Sequence, residues 1–99
     1  MIKRLIVRPE AEHEMTEAFD WYEERMPGLG FEFLLCVEAV FNSIQRSPQQ
    51  YRCVHHKEVR RALTRRFPYE IFFVEEEQGI VVLSVFHAKR NPKRWKERV

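Results

Sequence analysis

Glycine is scarce in this 99-residue chain, with only 3, and cysteine scarcer, with 2. So few glycines leave no Gly-rich loop to cradle a phosphate and no collagen-like repeat. No nucleophile elbow and no paired-carboxylate site is present either. No apolar run approaches the ~18 residues that a membrane span requires. The N-terminal MIKRLIVRPE is basic, but its apolar stretch is too short for a signal peptide, so the expected location is the cytoplasm, with no membrane partner. Cys36 and Cys53 fit no zinc or redox spacing. Cys36, within FEFLLCVEAVF, reads as an apolar filler. Cys53 with His55 and His56 lacks a fourth ligand nearby, and the chain reads as reduced, with no metal and no cofactor.

What is present is an ordinary globular composition, 44% hydrophobic, 32% charged and 13% aromatic. That excludes disorder along the whole chain, and the length allows one domain over residues 1–99. The net charge of +2 conceals an uneven distribution. Glu10, Glu12, Glu14, Glu17, Asp20, Glu23 and Glu24 follow one another with no Lys or Arg among them. Lys89, Arg90, Lys93, Arg94, Lys96 and Arg98 crowd the C-terminus against a single acid, Glu97. The basic end suits an anionic partner, or serves as a solvated tail.

Hydrophobic periodicity gives the element order. Residues 2–8 read as a short strand that Pro9 ends while opening a helix. Over residues 10–26 the apolar positions Ala11, Met15, Ala18, Phe19, Tyr22 and Met26 keep helical spacing, with the acids on the outer face. Pro27-Gly28 breaks it. A second helix fits residues 30–46, its stripe made of Phe33, Val37, Val40, Phe41 and Ile44 and widened by Phe31 and Leu34. Residues 48–57 read as a loop. Strands follow at 58–64, 67–75 and 80–87, the last apolar on both faces and therefore interior. Asn91-Pro92 can start a short helical tail anchored by Trp95. The fold class is α+β in the order β-α-α-β-β-β, a helical hairpin on one face of a small, mainly antiparallel sheet, leaving a basic open face.

Four groups of residues invite chemistry. Arg60, Arg61, Arg65 and Arg66 offer guanidinium forks suited to phosphate, or charges that guard a sheet edge. Strand alternation sends Arg60 and Arg61 to opposite faces. His87, before Lys89 and Arg90, is placed to move a proton or to close the sheet. Phe67-Pro68-Tyr69 with Phe72 and Phe73 puts aromatics beside cations, for base stacking or for core packing. Asp20-Trp21-Tyr22 with Glu23 and Glu24 puts Trp21 off the helical stripe, as a partner anchor or a hairpin rim.

The run VRRALTRRFPYEIFFVEEEQGIVVLSVFHAKRNPKRW resembles the RelE/ParE-type toxins of bacterial type II toxin–antitoxin modules, the plasmid-stabilisation family. The specific words are Val59-Arg60-Arg61, Phe67-Pro68-Tyr69 and His87-Ala88-Lys89-Arg90-Asn91-Pro92 closing at Trp95. VRPEAEHEMTEAFDWYEE is similar to the family's opening strand and helix. The resemblance implies a growth-inhibiting toxin with a cognate antitoxin. RelE-like members cut mRNA on the ribosome, whereas ParE-like members poison DNA gyrase. The His-x-x-Arg-Asn-Pro-x-x-Trp ending, with no Tyr just after the last strand, places this chain nearer the ParE-like branch. In a nuclease version His87 would move protons, Arg61 or its neighbour Arg60 would bind phosphate and Arg90 would stabilise the developing charge, so that His87, Arg61 and Arg90 would be the catalytic set. The target-binding residues implied are Arg60, Arg61, Arg65, Lys89, Arg90, Lys93 and Arg94, and those for the antitoxin are Trp21, Glu17 and Glu24.

Overall fold

The computed structural model describes residues 3–56 and 58–89. The anticipated helical tail, with Trp95, lies outside them. Strand β1 (Leu5–Val7) leads into helix α1 (Pro9–Arg25), and helix α2 (Leu29–Arg46) follows. A 3-10 turn (Pro48–Gln50) precedes β2 (Cys53–His55), β3 (Val59–Leu63), β4 (Tyr69–Glu76) and β5 (Gly79–His87). The sheet order is β1-β5-β4-β3-β2. β1 runs parallel to β5, and the other pairs are antiparallel. The stretch expected to be a loop at 48–57 thus contains a strand. Its three residues, CVH, are too few for any period to show, and only the neighbouring β3 gives them a partner.

Proline and glycine set the ends of the helices. Pro9 occupies the first turn of α1 after an extended Arg8, where its missing N–H is not needed. Gly28, at φ +91°, turns the chain into α2. The hairpin is then closed from the side, because the Glu23 carboxylate accepts the Gly30 N–H at 2.8 Å. Ser47, just before Pro48, ends α2, since helical geometry is disfavoured ahead of proline.

The main core lies between the hairpin and the sheet. Phe33, Val37 and Ile44 of α2 are fully buried against Ile71, Phe73, Ile80 and Val82. Each such side chain stabilises the fold by about 1.5–3 kcal/mol through burial. One end is an aromatic knot, with the Tyr22 ring 4.9 Å from Phe67 and the Phe33 ring 4.9 Å from Tyr69. The aromatics of the Phe-Pro-Tyr word are therefore core on the helical side, with Phe67 and Tyr69 both buried. A second cluster, Val59, Phe72, Val81, Leu83 and Phe86, lies on the other face. The middle of that face is apolar rather than basic, because β5 is apolar on both of its faces.

Candidate functional site

Helix α1 meets the end of the sheet at a β-bulge. The pairing of β4 with β5 advances one residue on β4, from Phe72 to Phe73, and two on β5, from Ser84 to Val82. On its other edge β5 pairs with β1 only as far as Val82. Here the Glu14 carboxylate accepts from both Val85 N–H at 3.1 Å and Ser84 Oγ at 2.9 Å. Glu14 is 8% exposed, so it is not on the outer face with its acidic neighbours as the periodicity predicts. Its position, three residues from Ala11 and four from Ala18, is the signal that it shares their buried face.

Beyond the bulge, His87 reaches the end of β5 opposite Tyr69, whose ring meets the imidazole edge-on at 5.2 Å. The Lys89 backbone N–H donates to His87 Nδ1 at 3.2 Å, which leaves the proton of a neutral imidazole on Nε2. A cavity of about 570 Å³ opens here between α1 and the sheet end. Glu14, Glu17, Trp21, Tyr69, His87 and Lys89 are among its lining residues. Glu17, Trp21 and Glu24 are all exposed along one flank of α1. Trp21 is 50% exposed, with the Arg25 guanidinium stacked 3.4 Å over its ring.

The arginines of β3 divide as alternation requires. Arg60 alternates with Val59 and Arg61, on the side of Ala62, and its guanidinium donates to the Tyr51 carbonyl. Arg61 faces the open side with Val59 and pairs with Glu70 at 3.2 Å. Arg65 and Arg66 form the tip of the β3–β4 loop. Thr64 holds that loop through its hydroxyl, which donates to the Phe67 carbonyl at 2.7 Å. Arg66 adopts a left-handed φ of +71° and reaches across to Glu32 of α2 at 2.7 Å. That carboxylate raises the Arg66 pKa further above its ordinary value. Arg65 is exposed. Arg90, Lys93 and Arg94 lie outside the described residues.

The sheet therefore separates two members of the expected nuclease set. His87 is on the helical side, level with Tyr69, and Arg61 is on the open side, level with Phe72. Among the described residues no group of three or more His, Cys, Asp or Glu side chains could hold a metal ion, and no helix is long and apolar enough to cross a membrane.

Comparison with known proteins agrees with this architecture. The chain is similar over 93 residues to Toxin ParE2 of Mycobacterium tuberculosis, in strains CDC 1551 and H37Rv, with 29% identity. That match covers 93% of this chain and 88% of the relative. Its fold superposes with a TM-score of 0.79 on a chain of the chromosomal ParDE system from P. aeruginosa, at 16% identity over 89% of this chain and 98% of the other. The model of the ParE toxin of type II toxin–antitoxin system, parDE, matches residues 5–92. The chain belongs to the ParE toxin family of type II toxin–antitoxin systems.

Proposed function

We propose that this toxin arrests bacterial growth by poisoning DNA gyrase and is neutralised by a cognate antitoxin. The observation that supports gyrase over mRNA is the split of Arg61 and His87 between the two faces of the sheet, while Arg60, on the side of His87, has its guanidinium engaged by the Tyr51 carbonyl. A metal-independent ribonuclease needs a proton-moving group and a phosphate-binding cation at one phosphodiester. With the sheet between them, this pair cannot meet at one phosphorus atom. A ParE-type poison has no such requirement, because it acts by binding.

In this reading Arg61, Arg65, Lys89 and the basic tail with Arg90, Lys93 and Arg94 supply cationic contacts to the target. Arg60 supports β3 through Tyr51. Trp21, Glu17 and Glu24 offer the antitoxin an acidic face with one aromatic anchor.

The test is induction of the protein in bacteria, together with purified gyrase in a supercoiling assay. The expected results are growth arrest, DNA-damage signalling and loss of supercoiling with intact mRNA. Prompt translation loss with codon-phased mRNA cuts would establish the nuclease reading instead. Normal growth with unimpaired gyrase would leave a binding module without toxicity.

A further inference from the structure

Charge is segregated along the fold as well as along the chain. Residues 46–66 carry seven lysines and arginines against one acid, Glu58. Helix α1 is the reverse, with seven acids and Arg25 as its one Lys or Arg. Because α1 packs on β5, the β2–β3 side of the sheet is the part of the molecule that draws anions. Several of its cations are engaged within the fold. Arg60 donates to the Tyr51 carbonyl, Arg66 pairs with Glu32, and Arg61 pairs with Glu70 at 3.2 Å. Arg52 differs from these. It is exposed, and no carboxylate among the described residues pairs with it.

Strand register places Arg52 beside Arg61. In the antiparallel pair of β2 and β3, Cys53 is opposite Arg60. The ladder continues one step back, where the Arg61 N–H donates to the Arg52 carbonyl at 3.1 Å. Arg52 and Arg61 are therefore directly opposed. Opposed residues share a face of the sheet, with Cβ atoms about 4.5–5.5 Å apart. That face is the open one, the side of Val59 and Phe72, and Val54 packs on the same cluster two residues after Arg52.

Like charges in opposed positions weaken a sheet. Here Glu70 supplies one carboxylate for two guanidinium groups, and its ion pair goes to Arg61. The site is short of one negative charge. A planar carboxylate is satisfied by a single guanidinium fork. A phosphodiester is tetrahedral, with two charged oxygens that two forks can close on together.

We propose that Arg52 and Arg61 form a phosphate clamp with which this toxin grips the backbone of duplex DNA. The choice of duplex DNA rests on the gyrase reading, since gyrase holds a DNA duplex and the clamp anchors the toxin against it. Neither arginine reads a base edge in this role, so binding is independent of sequence.

Fluorescence anisotropy of a labelled duplex titrated with the full chain, without gyrase, tests the clamp. The unaltered chain is expected to bind, with an affinity that falls as salt rises. Arg52→Gln and Arg61→Gln should each weaken binding about tenfold. The double variant should be little weaker than either single one, because both side chains act at one phosphate. Its slope against log salt should be lower than that of the unaltered chain by about one. Arg4→Gln makes the same change of charge on an exposed side chain beside β1, at the other edge of the sheet, and should stay within about twofold. Since opposed arginines repel, Arg52→Gln should also raise the melting temperature of the free chain, which separates lost binding from lost folding. Absence of duplex binding, full binding by Arg52→Gln, or equal weakening by Arg4→Gln overturns the clamp. Independent effects of the two arginines overturn a shared phosphate. Equal affinity for polyglutamate overturns a phosphate ligand, and tighter binding to single-stranded RNA overturns the choice of DNA. Gyrase poisoning by a chain that does not bind the duplex removes the clamp and keeps the gyrase reading. Duplex binding without gyrase inhibition keeps the clamp and removes that reading.

Discussion

Glu14 shows how much one residue can hold at this sheet end. Its carboxylate accepts from the Val85 N–H, beyond the stretch of β5 that pairs with β1, and from the buried Ser84 hydroxyl. Replacing it with alanine would leave both donors without that acceptor. The cost of an unsatisfied buried donor predicts that Glu14→Ala loses about 2–4 kcal/mol in urea denaturation. Ser84→Ala removes one hydrogen bond and keeps the other, so it should lose only about 1 kcal/mol. Tyr22 makes a second residue-scale prediction. Burial in the aromatic knot pushes its phenol above the ordinary value of 10.0. The fold therefore holds that proton more tightly than the unfolded chain does. Its contribution is whole below the ordinary phenol value and is lost as pH rises through the folded one. Thermal melts should fall more steeply with pH above about pH 10 for the wild type than for Tyr22→Phe.

At the scale of elements, the helical hairpin depends on two glycines for different reasons. A Cβ on Gly30 would stand 2.6 Å from the Phe19 carbonyl oxygen and 2.7 Å from Glu23 Cγ, so α1 and α2 would have to separate. Overpacking of this sort predicts a loss of about 1–3 kcal/mol for Gly30→Ala, measured as the shift in the urea midpoint. Gly28 has open space around it, and its requirement is the left-handed backbone alone. Gly28→Ala should therefore lose about 1 kcal/mol. Both helices and four of the five strands were legible in the sequence, because stripes such as Phe33, Val37, Phe41 and Ile44 are long enough to show a period. β1 is read from the β-branched residues of IKRLIVR, with Pro9 ending it. β2 is not legible. A three-residue edge strand has no pattern of its own, and pairing with β3 defines it. The same periodicity assigned Phe31 to the widened stripe of α2, whereas it is 61% exposed, with its ring edge-on to Phe19 at 4.9 Å.

At the scale of the whole molecule, the sheet is a wall between two surfaces. His87 works with Tyr69 and α1 on one side, and Arg61 with Glu70 on the other. Substitutions that share no partner act independently. The double variant His87→Ala/Arg61→Ala should therefore change growth arrest by the product of the single effects, scored as colony survival after induction. A shared reaction centre would instead make the second substitution nearly silent after the first. The charge asymmetry is likewise rearranged by folding. Of the seven clustered acids, Glu14 is buried and Glu23 closes the hairpin, so fewer remain for a partner than the count suggests.

The sequence by itself determined the α+β class, the helical hairpin and the central β5. These follow from local periodicity and from proline and glycine, which act within a few residues. Its short words, from Val59-Arg60-Arg61 to the run after His87, were also enough to point to the toxin family. Only the tertiary structure decided which face each arginine of β3 takes, which acid is buried and which apolar residues of α2 remain uncovered. Those outcomes depend on pairing between residues far apart in the chain. Glu14 and Val85, or Cys36 and Leu63, have no relation until the sheet and hairpin bring them together.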